Sequence, residues 1–241
     1  MDPLTISAAA GLRARMDSLE MLANNIANGS AGGYKADREF YSLYVAPEAV
    51  QPDAGTLPVI ERPWVDLSQG VLRPTDSPLD FALSGKGFFG VNGPQGPLYT
   101  RDGSFQVSRD GLLVTAEGHA VRGVGGAPLT VSAAQPVDVG PDGVVRQGGQ
   151  EVGRLEVVDF ADQAALAKQG HSYFKLTGTN IKPLAATGAT VEQGKLENSN
   201  VSPAESAVRL IDVMRQFEML QKAVGLGAEM NRKAIEEVAR V

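Results

Sequence analysis

An apolar stripe with helical spacing runs through each end of this chain, and the residues between them, from about 67 to 196, read as β structure punctuated by glycine and proline. That arrangement constrains the fold more than any other feature. An isolated amphipathic helix is marginal in water and takes most of its stability from whatever covers its apolar face. Near the start, Leu12, Leu19 and Ile26 recur at every seventh residue, with Met16, Leu22 and Ala23 filling the turns between. Arg13, Arg15, Asp17 and Glu20 fall at other angles. The pattern predicts a helix over 4–28, about 37 Å long at the usual rise per residue, stopped by Asn28-Gly29. At the far end, Ser202-Pro203-Ala204-Glu205 supplies an N-cap hydroxyl, a proline at the first helical position and a glutamate at the third. Leu210, Met214, Phe217, Val224, Ile235 and Val238 then mark the apolar face of a helix over 203–240. Gly225 and Gly227 weaken its middle by about 1 kcal/mol each relative to alanine.

Between the helices, residues 36–66 hold Phe40, Tyr41, Leu43, Tyr44 and Val45, but Pro47, Pro52, Pro58 and Pro63 forbid a long element. An extended connector with short strands is the reading that costs least. Further on, Asp102-Gly103, Asp110-Gly111 and Asp142-Gly143 read as hairpin turns, because both residue types tolerate positive φ. Phe81-Ala82-Leu83, Phe88-Phe89-Gly90-Val91, Phe105-Gln106-Val107, Leu112-Leu113-Val114 and Leu155-Glu156-Val157-Val158 are the strands expected around them. One short helix is expected near Asp162–Lys168. The fold class that follows is α+β, with long N- and C-terminal helices and a central antiparallel β domain. Whether the helices pair as a coiled-coil-like stalk or lie on the sheet stands level on the pattern alone. Pairing only two helices leaves apolar width uncovered, so a stalk calls for further copies or partners.

Composition narrows the function classes. There is no cysteine, which removes disulfides, thiol nucleophiles and Cys-ligated metal; two histidines, His119 and His171, leave little for a His-rich site. The net charge is −6 with no Lys/Arg run, so a nucleic-acid surface is not expected. No apolar run approaches the ~20 residues of a membrane-spanning helix. The opening Met1-Asp2-Pro3 lacks the basic and apolar regions of a cleaved signal. No Gly-x-Ser-x-Gly elbow or Gly-Lys-Ser/Thr phosphate loop occurs, and Gly123-Val124-Gly125-Gly126 lacks a strand-to-helix setting. No catalytic residue, cofactor or metal is expected.

Several motifs point one way. Ala23-Asn24-Asn25-Ile26-Ala27-Asn28 followed by Gly33-Tyr34-Lys35 resembles the N-terminal signature of bacterial flagellar rod and hook proteins. Leu79-Asp80-Phe81-Ala82-Leu83 with Gly87-Phe88-Phe89 is similar to that family's next block, and Tyr99-Thr100-Arg101-Asp102-Gly103-Ser104-Phe105 with Gly111-Leu112-Leu113-Val114-Thr115 to the one after. Leu196-Glu197-Asn198-Ser199-Asn200-Val201 followed by Glu205 resembles the C-terminal signature. The resemblance runs in order through the whole chain. Gly118-His119-Ala120-Val121-Arg122-Gly123, Val152-Gly153-Arg154-Leu155 and Arg215-Gln216-Phe217-Glu218-Met219 resemble the family's proximal-rod type, with the distal-rod type second.

The resemblance implies a structural subunit of the basal-body rod. It would be exported through the flagellar export apparatus and assemble helically in the periplasm as the torque-transmitting axle around the export channel. Its partners would be other rod proteins and further copies of itself. On this reading residues 1–35 and 197–241 are helical rod segments, 36–66 a connector and 67–196 the β domain. The expected subunit-interface residues are Leu12, Leu19, Asn24, Asn25, Ile26, Asn28, Tyr34, Lys35, Leu210, Met214, Phe217 and Val224. A monomeric β-domain hydrolase or carbohydrate-binding module, with the helices as decoration, is the alternative from another class.

Overall fold

The computed structural model describes residues 3–39, 41–44, 57–60, 64–170, 172–178 and 181–238. Phe40, Val45, Pro47, Pro52, Pro63 and His171 lie outside the described residues. The chain forms two compact units, one made of residues 1–27, 37–66 and 201–241, the other of residues 28–36 and 67–200.

The first unit holds the two helices. Helix α1 (Pro3–Ala27) is followed by four short strands, β1 (Asp37–Arg38), β2 (Tyr41–Tyr44), β3 (Leu57–Ile60) and β4 (Trp64–Val65). β1 pairs antiparallel with β4, and β2 with β3. Helix α1 packs against α2 (Pro203–Val238) and lies beside β3. The start of α2 follows the expected cap: Glu205 N donates to Ser202 Oγ at 3.4 Å and Ser206 N to Ser202 O at 2.9 Å. The helix runs unbroken through Gly225 and Gly227.

The buried face of α1 differs from the one the heptad marks. Gly11, Ala14, Ser18, Leu22 and Asn25 are buried, whereas Leu12, Leu19 and Ile26 are half-buried and Met16 and Ala23 exposed. The helix is turned by roughly a quarter turn from the expectation, because small residues let α2 come close. A Cβ on Gly11 would lie 3.4 Å from Leu220 Cδ1.

The second unit is antiparallel β. Its strands are β5 (Leu72–Pro74), β6 (Phe81–Ser84), β7 (Phe88–Gly93), β8 (Gly96–Thr100), β9 (Phe105–Val107), β10 (Leu113–Thr115) and β11 (Ala120–Val121). They continue as β12 (Val137–Val139), β13 (Val144–Gln147), β14 (Gln150–Arg154), β15 (Val157–Asp159), β16 (Leu166–Gln169), β17 (Tyr173–Leu176), β18 (Leu184–Ala185), β19 (Thr190–Gln193) and β20 (Lys195–Glu197). The main sheet runs β16-β17-β8-β7-β11-β10-β9, with β15 against the start of β7 and β18 beyond β15. β12, β13 and β14 form a second sheet, β6 pairs with β19, and β5 with β20.

The dipeptide Phe88-Phe89 explains why the sheet at β7 is dry on both sides. Neighbouring strand residues point to opposite faces, and here both are buried, at 2% and 0% exposure. Phe89 meets Phe105 edge-on at 5.4 Å, in a core with Phe81, Leu83, Leu113 and Val121. Phe88 meets Phe174 edge-on at 5.4 Å and Phe160 at 6.0 Å.

Two of the three expected hairpin dipeptides behave as such: Asp110-Gly111 joins the paired β9 and β10, and Asp142-Gly143 joins β12 and β13. Asp102-Gly103 does not, since β8 and β9 are not partners. There Asp102 Oδ1 accepts from Ser104 N at 3.0 Å, and Gly103 makes a close crossing where a Cβ would fall 1.9 Å from Phe81 O. The expected helix near Asp162–Lys168 is a single 3-10 turn, Gln163–Ala165, capped by Asp162 and running straight into β16.

Candidate functional site

Four segments far apart in sequence meet in the second unit around Glu197, whose side chain is shut off from solvent. Gly33, at φ +64°, brings the chain against the Arg101-Asp102 backbone, where a Cβ would lie 2.3 Å from Asp102 N. Gly33 N donates to Glu197 O at 2.7 Å. The turn delivers Lys35 into the interior. Its Nζ donates to Glu197 Oε1 at 2.5 Å and to Ser68 O at 2.6 Å. Gly70 N donates to the same carboxylate oxygen at 2.8 Å. Arg101 Nη1 reaches Glu197 Oε2 at 3.2 Å, Nη2 donates to Gly85 O at 2.8 Å, and the guanidinium lies 5.4 Å from the centroid of the Phe88 ring.

Asn200 closes the arrangement. Its Oδ1 accepts from Ala36 N at 2.8 Å, and its Nδ2 donates to Ser68 O at 3.2 Å and Ser68 Oγ at 3.1 Å. Tyr34, buried beside Lys35, carries Lys168 Nζ 4.2 Å from its ring centroid. Two cations thus share one anion out of water, an arrangement tolerable only because carbonyls and an amide take up most of the remaining lone pairs and protons, Arg101 Nε alone of the guanidinium nitrogens having no partner. Burial pulls the Arg101 guanidinium below its ordinary value, against the pull of Glu197.

A second polar group sits around Tyr173. Its hydroxyl donates to Glu117 and stands at hydrogen-bond distance, 2.9 Å, from Thr115 Oγ1, and His119 stands edge-on to its ring at 5.3 Å. Burial, then the hydrogen bond to Glu117, raises the Tyr173 hydroxyl above its usual range. Burial works to raise Glu117, but the bonds from Tyr173 and Thr115 outweigh it and hold the carboxyl below its ordinary value. His119 faces a ring, not a nucleophile. Among the described residues no group of three or more His, Cys, Asp or Glu is placed to hold a metal ion, and no helix is long and apolar enough to cross a membrane.

The residues singled out as interface candidates fall into three places. Tyr34 and Lys35 are buried inside the second unit. Asn25 is buried in the first, where its Nδ2 donates to Asp37 O at 2.8 Å and its Oδ1 accepts from Asp37 N at 2.9 Å, so its amide pins β1 of its own chain. Leu12, Leu19, Ile26, Asn28, Leu210, Phe217 and Val224 are half-buried, while Asn24 and Met214 are exposed. The stripe of α2 turned inward is Leu210, Val213, Phe217, Leu220 and Val224. The sequence reading missed a second stripe. Val208, Ile211, Met219, Leu226 and Met230 lie on roughly the opposite side of α2 at 3.6 residues per turn, and every one is more than half exposed. Counting both apolar phases on the helical wheel would have found it. Arg101, Glu197 and Asn200 stand within the motifs, yet nothing local marks Glu197 as the partner of Lys35 and Arg101, or Asn200 as that of Ala36 and Ser68.

The chain is similar to two family models, one described as the flagellar hook protein FlgE/F/G D1 domain, over residues 82–147, and one as the flagellar basal body rod FlgEFG protein C-terminal, over residues 192–237. Among curated proteins it is 36% identical to the flagellar basal-body rod protein FlgF of Caulobacter vibrioides, over 92% of each chain. It is 30% identical to FlgG of the same bacterium, over 93% of this chain and 95% of the relative. FlgG of Agrobacterium fabrum is 32% identical, over 92% and 94%.

Proposed function

The chain belongs to the flagellar basal-body rod protein family and is a structural subunit rather than an enzyme, and on that premise we propose that it assembles with neighbouring rod proteins through its helices, above all the outward face of α2. The observation that carries this reading is the second apolar stripe. Val208, Ile211, Met219, Leu226 and Met230 span about 33 Å along the helix and are left in water, with Met219 and Leu226 each 62% exposed. Covering such side chains is worth about 1.5–3 kcal/mol each, and an elongated exposed apolar strip marks an interaction surface.

In this reading α1 and α2 form a coiled-coil-like stalk completed by copies of the chain and by other rod proteins. Leu12, Leu19 and Ile26, half-buried in one chain, and Met214 on α2 add to the seam. The chain leaves the cytoplasm through the flagellar export apparatus, and the rod occupies the periplasm around the export channel. The greater identity to FlgF than to FlgG of one bacterium, 36% against 30%, supports the FlgF type, which we take to be the proximal-rod type that the Gly118–Gly123 and Arg215–Met219 motifs resemble.

The test uses Met219→Asp with Leu226→Asp in a strain lacking the native chain. Both positions are exposed, so folding is spared. The expected result is a normally folded, exported chain, absent from isolated basal bodies, and cells that do not swim. Normal incorporation and swimming would overturn the reading.

A further inference from the structure

We propose that Glu197 and Asn200 make a two-ended clasp, so that residues 33–36 and residues 195–200 order and open as one event. The second unit has four ends where the chain passes out of it or back in, at Asn28, Ala36, Leu67 and Asn200. The last three converge on Asn200, which accepts from Ala36 N, donates to the main chain and hydroxyl of Ser68, and donates its own N–H to Tyr34 O at 3.4 Å. Behind that hub, Lys35 bridges Ser68 O and the Glu197 carboxylate, which also holds Arg101 and the Gly70 amide.

The charges make the half-formed states costly. With 33–36 docked and 195–200 away, the Lys35 ammonium and the Arg101 guanidinium share a dry site with no anion between them. In the converse state Glu197 is buried with one of its two cations gone. Breaking a buried pair is far worse than exposing both members to water. Ordinary fraying would treat the segments differently, since β20 is held by β5 while 33–36 belongs to no strand. The clasp therefore joins a segment near the start of the chain to one 162 residues later.

Native-state hydrogen exchange on the full chain tests this, and its readout does not depend on rod assembly. The reporters are Tyr34 N, which donates to Ala31 O at 3.4 Å, on one side and Asn198 N, which donates to Val71 O at 2.9 Å, on the other, neither of them bonded across the clasp. In the unmodified chain the protection of the two sides agrees within about tenfold, and falls in parallel as urea is added. Glu197→Gln lowers both by the same factor, about a hundredfold or more. Asn200→Ala, which strands no charge, lowers both together by a smaller factor and keeps the test open if Glu197→Gln does not fold. Protections differing by more than about tenfold in the unmodified chain, or a variant that frees 195–200 while Tyr34 N stays protected, overturns the proposal.

Discussion

The cluster at Glu197 and the outward face of α2 reverse the usual sorting of residues. Lys35, Arg101 and Glu197 are charged and dry, with side-chain exposures of 0%, 3% and 0%. Met219, Leu226 and Met230 are apolar and wet. Charged groups are almost never fully buried unless paired, and wide apolar strips are rarely left in water by a chain that works alone. The first region finds nearly all its partners within its own chain, Arg101 Nε excepted, and its signature residues serve internal register. The second has no cover among the described residues, which is why we assign its partners to other subunits. Tyr34 and Lys35, candidates for the seam by motif, are buried with partners of their own chain.

The largest effect that can break this comparison comes from Glu197→Gln. It leaves two buried cations without their anion and lowers folding stability by about 3–5 kcal/mol, read as the shift in urea midpoint. A loss under about 1 kcal/mol would mean that the cluster is wet and worth no more than a surface pair. Next comes Gly33→Ala, which forces a left-handed backbone on alanine and drives its Cβ into Asp102 N. A cost of about 2–4 kcal/mol is expected, with Gly149→Ala, where a Cβ meets nothing, as the strain-only control.

Smaller effects sharpen the picture. Tyr173→Phe removes a buried hydroxyl and costs about 1 kcal/mol by thermal melting. It also removes the bond that holds Glu117 low. Because Glu117 is depressed in the fold, its contribution is present above the unfolded carboxylate pKa and is lost as pH falls through its folded value. The acid side of the stability curve should flatten in the variant. Asp102 has the opposite sign: burial raises it, so its contribution is lost as pH rises through the folded value. Asp102→Asn, which keeps the acceptor for Ser104, should flatten that fall in stability and leave neutral-pH stability equal or slightly higher. Smallest of all for folding is Met219→Asp with Leu226→Asp, within about 0.5 kcal/mol in the free chain, although assembly is lost.

What could be read from the residues follows the range of the forces involved. The cap at Ser202, the hairpins at Asp110-Gly111 and Asp142-Gly143, and the strands around Phe88-Phe89 depend on neighbours a few positions away and were legible. The rotation of α1 was not, because Gly11, Ala14 and Ser18 are buried for their smallness, which a hydrophobic stripe does not register. Asp102-Gly103 looked like a hairpin because its local chemistry is that of one; a distant strand, β6, claims it instead. The pairing of Lys35 with Glu197 is set by topology alone.

The absence of cysteine in the natural chain allows a direct check on where the partners of α2 lie. Single substitutions Met219→Cys and Leu226→Cys are made separately, and maleimide labelling is timed on the free chain and on isolated basal bodies. Rapid labelling of the free chain with strong protection in the basal body is the predicted result; labelling at the same rate in both would contradict the assignment of this face to subunit contacts.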